Sequence, residues 1–457
     1  MYIHPIDWRY GSKEMREIFS YEQFIKICAL LELKTAEIQA KYRLIPLTQK
    51  DIEEIRLAIE NLDVKEVIEE EKRIKHDIFA LLTVLAKKTP KAEWLHVGLT
   101  SEDIKDTARV IILRKALSLV IKKTIELAEI LADFVEKYAE LACVGRTHGI
   151  HAAPITLGYK FAVFLDEIKR HISRLLDVYH EIGYGKLSGP VGVHNSLGDV
   201  GEKIEKEVLA EFNLTPAKSA TQLVPRDTWA HMFLILAMLS TTLQRMATEI
   251  RNLQRTEVLE VAEPFSPTQI GSSALPHKQN PIMCERVSGL ARIIRALAHA
   301  FLENTVIWHE RDMSNSAPER CIMPEIFLLV DEQLEKMKRV ISGLRVFRDN
   351  IERNLELTYG AIFDETLVTL LVLKGISRMK AYMLVRKLVE RAFKERKHLR
   401  EIILEEEEIK SIFSEEELRK IFELTERIKI AKKRALEILA QTRFMLKKWK
   451  KQLNKLK

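Results

Sequence analysis

Apolar residues along this chain recur at the three-and-four spacing of helices, and the stretches that keep the rhythm are unusually long. Residues 101–144 and 226–263 contain neither Gly nor Pro, 282–317 contain only Gly289, and 325–359 only Gly343. Fully helical, the first of these would run roughly 65 Å at ~1.5 Å per residue. Helices much longer than about 25 residues belong to coiled coils, membrane spans or long bundles. The segment LRKALSLVIKKTIELAEILADFVEKYAEL is amphipathic without a strict heptad, and no uncharged apolar run reaches about 18 residues, so a long antiparallel bundle is expected and a membrane span is not. WAHMFLILAMLSTTL (229–243) is apolar nearly all round, which predicts a deeply buried helix. Stripes of this length exceed what one chain covers easily, so bundles from several copies should pack with closed symmetry.

The breaks in the rhythm set the organisation. In LTSEDIKDTA, Thr100 and Asp103 have capping-box spacing and Ser101 is a second candidate cap, marking the start of the first long helix. Shorter helical segments precede it (12–94), and after about 355 LTYGAIFDETLVTLLVLKGISRMKAY returns to shorter segments. The expectation is an all-α chain in three parts: an N-terminal helical domain (1–104), a central long-helix bundle (105–353) and a C-terminal helical domain (354–457). Strand signal is slight. GYGKLSGPVGVHNSLGD (183–199) reads as a loop or a short hairpin.

Composition narrows the class. The 457 residues are 47% hydrophobic and only 7% aromatic, with 16 Gly and 13 Pro, which suits helices; the Lys/Glu/Ile bias hints at a thermophile. MYIHPIDWRYGSKEM is polar and charged, unlike a signal peptide. Cys28, Cys143, Cys284 and Cys321 are far apart and lack metal spacing, as expected of buried thiols in a reducing cytoplasm. The net charge of +7 is local: residues 427–457 hold twelve Lys or Arg against one acid, Glu437, so the rest of the chain is at −4. This helix could touch nucleic acid; the expectation is instead a solvated helix balancing Glu405–Glu408 and Glu415–Glu417.

Reactive polar clusters fall at the breaks: WRY (8–10), KHD (75–77), HVGLTSED (96–103), GRTHGIHAAP (145–154), TQLVPRD (221–227), GSSALPHKQNP (271–281) and WHERDMSNSAPER (308–320). Bundles place sites where helices end or face each other. No nucleotide-binding glycine motif is present. His148 and His151 have a spacing that could share a helix face, but Gly149 and Pro154 interrupt it and no third ligand is near, so no metal is expected. GSSALPHKQNP alone reads either as a surface loop before a helix that starts at Pro281, or as a site. In the second reading Lys278 stands before a helix N-terminus whose free N–H groups favour a carboxylate or phosphate, and Glu285 on the next turns could orient a histidine.

GSSALPHKQNP resembles the GSSxMPxKxNP signature of the fumarase/aspartase superfamily, with Leu275 in place of the usual Met. The six other clusters, in the same order, resemble those of the adenylosuccinate lyase family, from about residue 4 to 385. That resemblance implies an all-α homotetramer in which three domains per chain meet in a central bundle and three subunits share each active site. It implies β-elimination of fumarate from adenylosuccinate, giving AMP, and from the succinylated aminoimidazole carboxamide ribotide of purine synthesis, without cofactor or metal. Small nucleotides would be its partners, with neither membrane nor nucleic acid.

Carried over residue by residue, Ser272 resembles the base, His148 the general acid and Glu285 its charged partner, with Lys278 stabilising the charge left when the proton departs. Lys278, Asn280, Thr147, Gln222, Thr100, Ser101 and Ser273 match the positions that hold the fumarate portion. Arg9, Tyr10, Lys75, His76, Asp77, Arg311, Ser316 and Arg320 match those at the nucleotide end, with His96 close by. The chain departs from the family at Ala153 (usually an acid), Ile155 (a threonine) and Asn315 (often a histidine), which bears on substrate preference rather than on the reaction. A sister lyase acting on another succinyl or carboxylate substrate, such as argininosuccinate lyase or carboxymuconate cycloisomerase, is the nearest rival; a non-catalytic helical scaffold or nucleic-acid binder using the basic terminus is another.

Overall fold

A computed structural model describes residues 4–456. Among them are eighteen α-helices and three two-stranded pairings. Five long helices make the bundle: Ser101–Lys137, Leu157–Glu181, Asp227–Leu253, Ile282–Leu302 and Ser316–Ser342. Five helices precede them, from Lys13–Ile18 to Asp77–Lys88, and a run of short helices leads to the long terminal helix Leu424–Lys455.

The Ser101–Lys137 helix starts where its sequence says it should. The Thr100 N–H donates to the Asp103 carboxylate at 2.8 Å, as the capping box requires. It stops at Lys137, short of the next glycine. The chain then turns and forms an antiparallel hairpin, Ala142–Thr147 with Ile150–Thr156. Sequence reading missed this hairpin, because ACVGRTHGIHAAPIT has little polar alternation to mark strands. Glycine is needed just after it. A Cβ on Gly158 would sit 2.6 Å from the Ala139 Cα, and the Gly158 N–H reaches the Tyr138 carbonyl at 2.8 Å, so the second long helix begins against the end of the first. Of the two readings of 183–199, the loop is the one found; Tyr184–Gly185 at its start pairs in parallel with Thr215–Pro216.

Within one copy the Asp227–Leu253 helix leaves a stripe open, with Leu234 and Met238 39% and 45% exposed beside exposed His231, Thr241 and Arg245. One further expectation is corrected. The basic terminal helix does not balance the acidic stretches near 405 and 415. It lies along the first two long helices, burying Ala435, Leu439, Thr442, Leu446 and Trp449. Its cations meet acids of the Ser101–Lys137 helix and the turn after it: Lys432 with Glu140 at 2.5 Å, Arg443 with Asp133 at 2.7 Å and Glu136 at 2.8 Å, and Lys450 with Glu129. Apolar burial chose the docking face, and the charges paired with whatever that face offered.

Trp449 is 1% exposed, whereas Arg443 is paired in the open. Trp449→Ala should therefore cost about 3–5 kcal/mol, and Arg443→Ala less than about 1 kcal/mol. Denaturant or thermal melts of the two variants check this, and equal losses would contradict the account of how the helix is held.

Candidate active site

Most of the residues expected at the nucleotide end come together where the N-terminal helices meet the start of the Ser101–Lys137 helix. His76 caps the Asp77–Lys88 helix: its Nδ1 accepts the Phe79 N–H at 3.1 Å. In the neutral ring Nε2 then carries the proton, and it lies 3.3 Å from the Ser101 hydroxyl. Lys75, in the left-handed conformation that ends the preceding helix, makes this sharp entry.

From Asp77 the charges alternate. Its carboxylate accepts from Lys105 at 2.9 Å, with Arg320 3.9 Å away. Lys105 also reaches Glu102 at 2.9 Å, and Glu102 pairs with Arg109 at 3.0 Å and Arg311 at 3.2 Å. Arg311 then donates to the Gln222 side-chain oxygen at 2.9 Å. Four cations face two acids, so the cluster keeps a positive surplus suited to an anion. Burial opposes ionisation of Glu102, but Arg109, Lys105 and Arg311 outweigh it and hold its carboxyl down at about 2. Asp77 is also lowered: burial pushes its pKa up, and the charge and hydrogen bond of Lys105 more than reverse that. Sequence reading missed Glu102, Lys105 and Arg109. Their spacing of three and four on one helix was the available signal.

Four expected residues lie apart from this cluster's bonds. His96 points its Nδ1 at the buried Glu32 at 2.6 Å. Ser316 is buried in the first turn of its helix. Tyr10 rests its ring under the Arg286 guanidinium at 5.8 Å, while exposed Arg9 lies over Trp8.

The remaining chemistry sits on two other surfaces. Thr147 and His148 are exposed at the tip of the hairpin, where His148 and Gly149 both have positive φ (55° and 81°), the signature of a tight two-residue turn. This turn removes the shared helix face that would have suited a metal, and no group of three or more His, Cys, Asp or Glu among the described residues is placed to hold one. Ser272, Ser273, Lys278 and Asn280 lie on the irregular loop that precedes the Ile282–Leu302 helix. The Ser272 hydroxyl oxygen accepts the N–H groups of Ala274 at 3.3 Å and Leu275 at 3.1 Å. Asn280 donates to the Gly271 carbonyl at 3.1 Å. Only glycine fits at 271, since a Cβ there would meet the Lys278 carbonyl oxygen at 2.1 Å.

One expectation fails here. The N-terminus of the Ile282–Leu302 helix is not free for a ligand, because the carboxylate of buried Glu263 accepts the N–H groups of Met283 at 3.1 Å and Cys284 at 2.6 Å. His148 and Glu285 are both exposed in a single copy, and their pairing is expected between copies. A single copy thus leaves the three surfaces separate.

Comparison with known proteins fits this geometry. The chain matches the family model described as Lyase over residues 28–295 and that described as Adenylosuccinate lyase C-terminus over 360–435. A fumarate lyase from Mesorhizobium sp. superimposes with a TM-score of 0.86 at 28% identity, covering 96% of this chain and 99% of that one. A 3-carboxy-cis,cis-muconate lactonizing enzyme from Pseudomonas putida gives a TM-score of 0.87 at 28% identity, covering 96% and 98%. Fold and site together define an enzyme of the fumarate lyase class. The adenylosuccinate lyase of Pyrococcus abyssi is 43% identical over 409 residues, 89% of this chain and 91% of its own length. That of Methanocaldococcus jannaschii is 38% identical over 414 residues, 90% and 89%. The chain belongs to the adenylosuccinate lyase family.

His96 gives a test of the site's electrostatics. Burial disfavours its charged form, but the hydrogen bond and charge of Glu32, with Asp103, raise its pKa above the ordinary 6.5. A raised histidine stabilises the fold fully below its unfolded pKa, and the contribution is lost as pH rises through the folded value. The gap in unfolding midpoint between wild type and Glu32→Gln should thus be widest below pH 6.5 and narrow above it. A gap that widens with pH would contradict a charged His96.

Proposed function

We propose that the chain cleaves adenylosuccinate to AMP and fumarate, and the succinylated aminoimidazole carboxamide ribotide to its carboxamide and fumarate, in the cytoplasm. The observation that carries this reading is the division of one elimination site over three surfaces, each chemically equipped and none sufficient alone. The Ser272 loop supplies the base. Its two N–H groups already point at the hydroxyl oxygen and would stabilise the alkoxide that removes a proton from the carbon next to a succinyl carboxylate. The electron pair of that C–H bond forms the double bond of fumarate as the C–N bond breaks. His148, unpartnered and exposed, would protonate the leaving nitrogen, with Glu285 oriented toward it in the assembly. Lys278, Asn280, Ser273 and Thr147 would hold the fumarate carboxylates, together with Thr100, Ser101 and Gln222. Arg320, Arg311, His76, Asp77 and Lys75 would hold the nucleotide, joined by Arg9 and Tyr10.

The reading requires an assembly, and we infer a homotetramer in which three copies complete each site. Exposed apolar side chains support it. Ile150 stands at the hairpin tip, Ile270 and Leu275 on the Ser272 loop, and Leu234 and Met238 on the third long helix. Patches of this kind mark interfaces. The three-part division at 104 and 353 is kept as the functional one: the first part carries the His76 end, the bundle carries the acid and base, and the last part closes over the hairpin side.

Ser272→Ala and His148→Ala should each lower turnover about 10²–10⁴-fold while size-exclusion and light scattering still report the wild-type oligomer. Absorbance change with adenylosuccinate is the readout. Mixing the two inactive variants through reversible dissociation should restore activity, because some sites then receive one intact residue from each copy. A chain that left adenylosuccinate untouched and cleaved argininosuccinate would sink the assignment.

A further inference from the structure

The loop that carries Ser272 has no regular structure between Ala262 and Ile282, yet its two ends are tied together more tightly than its exposure suggests. Three side chains outside the reactive set make the ties. Glu263, 3% exposed, accepts the Met283 and Cys284 N–H groups and so caps the helix that follows the loop. The residue before that helix is Pro281, which has no side-chain acceptor to offer, so the cap has to come from elsewhere in the chain. Gln254 accepts the Glu263 N–H at 3.0 Å and donates to the Gln279 carbonyl at 3.0 Å. Arg345 donates to the Glu263 carbonyl at 3.0 Å and to the Gln279 side-chain oxygen at 2.8 Å.

We propose that Glu263, Gln254 and Arg345 form a positioning clamp that sets where Ser272 and Lys278 stand when the loop meets substrate. The clamp rests on the reading of Ser272 as the base. It contains an inner closure, in which Asn280 bonds the Gly271 carbonyl and Gly271 packs on the Lys278 carbonyl. The reactive residues lie inside the inner closure, and the outer ties fix that closure to the third and fourth long helices and to the strand residue Arg345. Sliding one loop end against the other would move Ser272 and Lys278 together, away from the other copies' residues. None of the three clamp side chains needs to touch substrate for this.

The test uses Arg345→Met, which keeps the aliphatic stem of this half-buried side chain and breaks both of its bonds, with Arg345→Lys as the conservative partner. In the intact oligomer, Arg345→Met should lower kcat about 10–100-fold, as expected for a displacement of about 1 Å at the reacting groups, with KM changed less than about threefold. Arg345→Lys should recover part of the loss. Amide exchange across 264–281 should quicken in Arg345→Met while the long helices stay protected. Glu263→Gln, which keeps one acceptor, should fall between wild type and Arg345→Met. Wild-type kcat and unchanged exchange in Arg345→Met would overturn the clamp, as would a defect seen only in KM or only in the melting midpoint. An active Ser272→Ala would overturn the underlying reading instead, and the exchange rates would then still judge the clamp by themselves.

Discussion

Glu102, Asp103 and Asp106 stand in the first two turns of the longest helix, each at most 1% exposed. Ionised carboxylates buried so deeply cost several kcal/mol each unless they are paired and hydrogen-bonded. The positive end of the Ser101–Lys137 helix offsets part of that cost. The rest is met by cations from distant parts of the chain. Lys186, after the second long helix, bonds Asp103, and Arg226, before the third, clasps Asp106 at 2.5 Å and Glu319 at 2.6 Å. Arg311, from the loop before the fifth, reaches Glu102. One row of acids therefore fixes the ends of four long helices to one another. Removing a single partner would strand a buried charge, at a cost of about 3–5 kcal/mol.

The same row orders the cluster proposed to hold the nucleotide. Because Glu102 is held ionised by three cations, it lines up Lys105 and Arg311 without cancelling them, and Lys105 in turn aligns Asp77 beside Arg320. Stability and the proposed binding thus draw on one network. The opposite solution appears beside the Ser272 loop, where Glu263 takes two of the first N–H groups of a helix, those of Met283 and Cys284. There the protein uses its own carboxylate as a structural plug, so the proposed anion binding rests on Lys278, Asn280 and loop N–H groups.

Legibility followed the range of the interactions. The capping box at Thr100, the helix start after Pro281 and the reactive clusters at the helix breaks could be read directly, because each depends on neighbours within a few residues. His76, Asp77, Ser101, Gln222, Arg311 and Arg320 could be read as a set only through their family pattern, and the folded chain does gather them. The Ala142–Thr147 hairpin could not, since its register is set by packing on the short helices and on the terminal helix. Nor could the clamp: Gln254, Glu263 and Arg345 have no common spacing, and Gln254 and Arg345 are separated by an entire pair of long helices.

Local order alone therefore settled the long helices, their caps and the residue types available for an elimination, since periodicity and capping act between residues three or four apart. Tertiary packing decided which of those residues meet. It turned the basic terminal helix onto acids far earlier in the chain, filled the helix end at Met283 with Glu263, and left His148, Ser272 and the His76 cluster on separate surfaces. The reason is physical: burying charge and apolar area is a property of juxtaposed surfaces, and no single stretch of sequence contains both sides of one.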